Sequence, residues 1–185
     1  WWYVTGWLRD GARALGVQVT FFRARTRHPD ANPSRFAPRE LLFAHAAIAD
    51  PARGHLVHEQ ASARAGFDLA SARETDTDVR LPGWRMWRTS DDTYRVSIAS
   101  GHLDLDLRLV PDGAPVLQGD RGFSRKGPRP LQASYYYSRP QLQAQGRISV
   151  HTAWPKGRTD VRSADRTRSE VGGVCWLDHE WSSEI

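Results

Sequence analysis

His102-Leu103-Asp104-Leu105-Asp106-Leu107-Arg108-Leu109 alternates polar and apolar residues without a fault. In an extended strand successive side chains point to opposite sides, so the four leucines share one face. Asp104, Asp106 and Arg108 share the other. The run predicts a half-buried strand, with one face on a core and one toward water. Val17-Gln18-Val19-Thr20-Phe21-Phe22, Tyr94-Arg95-Val96-Ser97-Ile98 and Gly146-Arg147-Ile148-Ser149-Val150 repeat the theme more briefly.

Turn signals separate these runs: Asp10-Gly11, Pro51-Ala52-Arg53-Gly54, Pro82-Gly83, Pro111-Asp112-Gly113 and Gly172-Gly173. Many short strands punctuated this way predict an all-β, antiparallel barrel or sandwich, a single domain over residues 1–185. Pro38-Arg39-Glu40-Leu41-Leu42 fits the first turn of a helix, while Leu41 to Ile48 fits a buried strand equally well. The polar stretch Arg23 to Arg35 is long enough to cover a barrel mouth. Trp1-Trp2-Tyr3-Val4-Thr5 is already strand-like, and Trp181 to Ile185 ends without a polar tail, so the chain reads as a piece of a longer one.

Composition narrows the function. A single cysteine, Cys175, excludes an internal disulfide framework and a Cys-rich zinc module. No apolar run approaches the roughly 18 residues of a transmembrane helix. The net charge of +5 is spread through Arg121–Arg129 and Arg158–Arg168, where glycine, proline, Asp160 and Asp165 intervene. These read as solvated loops rather than a nucleic-acid face. His55 and His58, three apart in a strand, point to opposite faces, so no metal site is expected there. No cofactor is expected either.

Three segments carry candidate chemistry. Alternation in Tyr135-Tyr136-Tyr137 sends Tyr135 and Tyr137 to one face, as core rings with bonded phenols or as the lining of an apolar cavity. In Cys175-Trp176-Leu177-Asp178-His179-Glu180-Trp181, Trp176, Asp178 and Glu180 share one face, and Cys175, Leu177, His179 and Trp181 the other. Two carboxylates two positions apart beside an indole can couple and leave one raised, a usable general acid; they can equally be hydrogen-bond acceptors at a strand end. Cys175 reads as a small buried apolar residue, and His45 among alanines as a core imidazole.

Trp1-Trp2-Tyr3-Val4-Thr5-Gly6, Gly16-Val17-Gln18-Val19-Thr20-Phe21-Phe22-Arg23, Ala44-His45-Ala46-Ala47-Ile48, Tyr136-Tyr137-Ser138 and Trp176-Leu177-Asp178-His179-Glu180-Trp181 together resemble the AttH/hydroxyneurosporene synthase family, in order and over essentially the whole chain. The resemblance implies two lipocalin-like β-barrel halves, this chain being the first and a C-terminal second barrel of the same parent its partner. It implies a carotenoid 1,2-hydratase-like protein or "predicted secreted hydrolase", located in the bacterial envelope or secreted, acting on an isoprenoid or lipid-like molecule. In the hydratase branch an aspartate in a Tyr-Leu-Asp motif protonates a double bond. Asp178 is similar to it, with Trp176 in place of the tyrosine and Glu180 as neighbour. Trp176, His45, Tyr135 and Tyr137 follow as pocket residues, the two tyrosines as the nearest counterpart here of that branch's His-x-Trp pair. The alternatives are a non-catalytic lipid carrier and, on the family label alone, an ester hydrolase.

Overall fold

The computed structural model describes residues 1–26, 28–29, 31–151 and 166–182. Its strands are β1 (Trp2–Asp10), β2 (Arg13–Arg25), β3 (Glu40–Asp50), β4 (His55–Arg64), β5 (Ser71–Ala72), β6 (Asp78–Leu81), β7 (Trp84–Arg88), β8 (Tyr94–Ala99), β9 (Leu103–Val110), β10 (Val116–Leu117), β11 (Phe123–Arg125), β12 (Ala133–His151) and β13 (Arg166–Trp181). A 3₁₀ turn at Pro51–Arg53 is the one helical element among the described residues; Asp50 caps it and Gly54 closes it in the left-handed conformation. The Pro38–Leu42 segment opens no helix, because Glu40 to Asp50 pair along their length with β2 and β4.

All pairings are antiparallel, in the order β4-β3-β2-β1-β13-β12-β9-β8-β7-β6-β5, with β10 and β11 added to the start of β12. The sheet curls until Cα atoms of β4 lie within 8 Å of β6 and β9. Glu59 of β4 accepts a bond of 3.0 Å from the His102 amide across this seam. Arg23 of β2 likewise reaches Glu74 at 2.8 Å. The result is an all-β, lipocalin-like half-barrel.

Alternation decides what fills it. Leu103, Leu105, Leu107 and Leu109 all point inward and are buried, as the pattern in β9 requires. They meet Val4, Leu8, Val17, Val19, Phe21, Ile48, Met86, Ile98, Leu142 and Leu177. Each buried aliphatic chain of this kind contributes about 1.5–3 kcal/mol over its exposed form. The interior is therefore packed side chain against side chain.

Two local features depart from the sequence pattern. Gly172-Gly173 makes no turn; both residues lie within β13, paired with Arg9 and Leu8 of β1. A Cβ on Gly173 would stand 2.0 Å from the Trp7 carbonyl oxygen, so glycine here permits close strand approach. In β12 the register slips between Arg139 and Leu142, where three steps on β12 match two on β13. Pro140 falls in this bulge and Gln141 has φ 55°. Most of the basic stretch Arg158–Arg168, and the terminal residues 183–185, lie outside the described residues.

Candidate functional site

Cross-strand register lines up side chains in rows on the outer face of the β3-β2-β1-β13-β12 wall. Leu177 faces inward and is fully buried, so its neighbours Trp176 and Asp178 face outward. Asp178 pairs with Ser138 on one side and Tyr3 on the other, and the row continues through Thr20 to His45. The next row is Trp176, Thr5, Gln18 and Ala47. Beyond it come Val174, Trp7, Gly16, Ala49 and Leu56. Rows two residues apart are about 6.8 Å apart, and strands about 4.8 Å.

The last two rows floor an open groove of about 720 Å³, lined among others by Trp7, Ala47, Ala49, Leu56, Val174 and Trp176. Trp7 is 69% exposed and Trp176 39%, unusual for indoles on a barrel wall. The groove stops at Trp176, whose indole N–H donates to Asp178 Oδ1 at 2.7 Å. Ser138 Oγ donates to the same oxygen at 2.5 Å, and Gln118 Nε2 donates to Ser138 at 2.9 Å. The Tyr136 hydroxyl also bonds Asp178; burial, and then the charge of Asp178, push that phenol up. A polar row thus stands beside a mixed one, Trp176, Thr5, Gln18 and Ala47, with an apolar row beyond it.

This placement corrects the expected role of several residues. Asp178 does not project into an enclosed hollow: the interior is filled, and its carboxyl belongs to the outer wall. Glu180 shares that face without acting as its coupled acid. Burial works to raise its pKa, but the Lys126 ammonium at 2.6 Å and the Ser134 hydroxyl outweigh it, holding Glu180 below the ordinary carboxylate range. His45 is exposed rather than buried, its ring edge against Phe22 at 5.7 Å, because Leu42, Ala44, Ala46 and Ile48 take the inward positions of β3. Ser134 and Ser138 bond their carboxylates directly, with no imidazole between, which is not the arrangement of a hydrolase triad.

Tyr135 and Tyr137 face the other way. They pair with Trp181 and His179 on the inner face, at the barrel end where β13 finishes. There a ladder of rings runs from buried to exposed: Trp2 on His179 at 4.7 Å, His179 on Trp181 at 4.8 Å, Trp181 on Tyr135 at 5.7 Å. Tyr137 meets His179 edge-on at 5.4 Å. Burial pushes the His179 imidazole down to about 4, so it is neutral at pH 7, and Nδ1 bonds the Trp1 carbonyl oxygen at 2.9 Å. Cys175 is a buried small residue facing Gly6, its thiol pushed up to about 12 by burial. The expected pocket residues are thus split by the wall itself, Trp176, Asp178 and His45 outside, Tyr135 and Tyr137 inside. Tyr3, Tyr136 and Ser138 were missed as neighbours of Asp178, and Trp7 as the floor of the groove, since only cross-strand register brings them there.

The AttH-like family model matches residues 1–185. A crystal structure of a Nitrosomonas europaea protein assigned as AttH is 46% identical with a TM-score of 0.81; the match covers 100% of this chain and 51% of that one. The crystal structure of kievitone hydratase from Nectria haematococca is 13% identical with a TM-score of 0.67, covering 100% of this chain and 48% of that one. The chain thus spans about half the length of both. No curated protein matches it.

Proposed function

The chain belongs to the AttH-like family, and on that premise we propose that the protein binds a hydrophobic isoprenoid or lipid-like ligand along the outer-face groove and hydrates it with Asp178 as proton donor. Its 185 residues form the first of two barrels, the second closing over the groove and excluding water. The observation that carries this reading is the row geometry: a groove floored by Trp7, Val174, Ala47, Ala49 and Leu56 that ends, at Trp176, on a row holding a carboxyl.

An apolar chain lies across Trp7, Val174 and Ala49, which brings its terminal double bond to Asp178. The protonated carboxyl gives its proton to the less substituted alkene carbon, leaving a tertiary cation. Water adds to the cationic, more substituted carbon, and the proton it sheds returns to the carboxylate, so the acid is regenerated and the net reaction is addition of water. The ring faces of Trp176, Tyr3 and Tyr136 stabilise the cation by roughly 0.5–2 kcal/mol each. Tyr135 and Tyr137, on the inner face, take no part.

In the full-length protein, Asp178→Asn keeps an acceptor oxygen for Ser138 and Trp176 but carries no acidic proton. Hydration of an isoprenoid substrate should fall by about 10²–10⁴-fold, while tryptophan quenching by the ligand changes only a few-fold. Retained turnover in the variant refutes the assignment.

A second reading has its own support: Asp178 Oδ1 already accepts from both Ser138 and Trp176, as a structural acceptor would. On that reading the protein is a lipid-binding carrier. Mass spectrometry of lipid co-purified with full-length protein, with no hydrated product on incubation, selects it.

A further inference from the structure

Phe36 and Phe67 stack with ring centres 5.8 Å and planes 9° apart, where the β2–β3 connection meets the loop after β4. Stacking commonly accompanies burial, yet Phe36 is 75% exposed and Phe67 51%. Leu41, at the start of β3, and Leu69, on the loop after β4, are exposed as well. The pair is held out by a defined loop. Gly66, Phe67 and Asp68 take φ of 93°, 53° and 58° in succession, a left-handed stretch in which only the first is glycine. Non-glycine residues persist in that region only where their surroundings impose it. Here the Gly66 amide bonds the Ala70 carbonyl oxygen at 3.1 Å, and the Leu69 amide bonds that of Gly66 at 3.0 Å. The Arg64 guanidinium lies 4.8 Å from the Phe67 ring centre and donates to the Arg35 carbonyl oxygen at 3.1 Å, tying the two loops together.

The charge around the rings is cationic. Arg64 lies against Phe67 and Arg35 adjoins Phe36 in sequence; Glu40 is shared by Arg23 and Arg25, and the exposed Asp68 lies 3.5 Å from Arg80. Arg27 and Asp30 lie outside the described residues. Fixed aromatic rings with arginines beside them fit the boundary between headgroups and acyl chains of an anionic bilayer. The rings enter the apolar side and the guanidinium groups stay with the phosphates.

We propose that this rim docks the protein on an anionic phospholipid surface. The docking is independent of chemistry at Asp178, which lies on the outer wall. A protein partner, or the second half of a longer chain seated on the rings, would abolish it.

The test is co-sedimentation of the full-length protein with vesicles of phosphatidylglycerol and phosphatidylethanolamine, against vesicles of phosphatidylcholine. The protein should pellet with the anionic vesicles and less with the neutral ones, and added salt should weaken it. Phe36→Ser with Phe67→Asn, the asparagine tolerating a positive φ, should lower partitioning by on the order of tenfold or more. Arg35→Gln should cost roughly fivefold on anionic vesicles and little on neutral ones, whereas Arg64→Gln, which also frees the Phe67 ring, should weaken binding to both. Phe36→Ser alone, at an exposed loop position, gives the same direction if the double variant folds poorly. Absence of binding by the unaltered protein, or binding indifferent to both rings, overturns the proposal. Asp178→Asn should bind vesicles as the unaltered protein does, which separates failure here from failure of the hydratase reading.

Discussion

His179 lies between two indoles on the inner face, and its position predicts how stability depends on pH. Burial pushes its pKa from the usual 6.5 to about 4 in the folded protein. Above pH 6.5 both folded and unfolded states hold a neutral ring, and His179 contributes no pH dependence. As the pH falls below 6.5 the unfolded chain takes up a proton that the folded chain refuses, so stability declines. The decline ends near pH 4, where the folded state protonates too. At 1.36 kcal/mol per pH unit, the interval from 6.5 to about 4 corresponds to about 3 kcal/mol. His179→Phe keeps a flat ring between Trp2 and Trp181 but has no nitrogen to titrate. It also loses the bond to the Trp1 carbonyl oxygen, a uniform cost of about 1 kcal/mol. Urea unfolding followed by tryptophan fluorescence, stepped downward from neutral pH, should show the unaltered protein losing about 3 kcal/mol more than the variant across that window. The other titrating groups are common to both proteins and cancel in the difference. Parallel stability curves, or a His179 imidazole that titrates near 6.5 by NMR, would refute the reasoning.

Glu180, held below the ordinary carboxylate range, stabilises the fold above that range and loses its contribution as the pH falls through its folded pKa. Glu180→Gln should therefore cost about 1–2 kcal/mol at neutral pH, with the cost fading in acid, as denaturant melts at both ends would show. A Cβ on Gly146 would stand 1.9 Å from the Asp106 carbonyl oxygen, a backbone atom that cannot step aside. Gly146→Ala should lose about 2–3 kcal/mol, read as a lower thermal midpoint, whereas exposed Gly113, with nothing near its Cβ, should accept alanine almost without cost.

Strand alternation made the architecture legible. The leucines of β9 and the pattern in Val17–Phe22 state which residues face a core, and the motifs from Trp1 to Trp181 carried the family. The two faces of β13 were separable too, with Asp178 opposite Leu177. Which face turns inward was not, because both carry an indole and a mixture of polar and apolar groups. The choice is made across strands, where Leu177 and Cys175 meet Val4 and Gly6 of β1. Gly172-Gly173 misled for a similar reason, since the demand for glycine comes from the Trp7 carbonyl of a strand far away in sequence. His45 looked interior among alanines because they are small; they alternate around it and leave it outside.

The slip between Arg139 and Leu142 sets inward parity to odd numbers before it and even numbers after it. Removing Gln141 would put both halves of β12 on one parity, while Leu142, Ala144 and Ile148 anchor the later half to the core. The two halves would then alternate as one regular strand, two steps on β12 matching the two from Leu177 to Cys175, and Tyr136 and Ser138 would keep their places beside Asp178. The bulge thus takes up one surplus residue, so chain length can vary by one at this point while the rows on either side of it keep their facing.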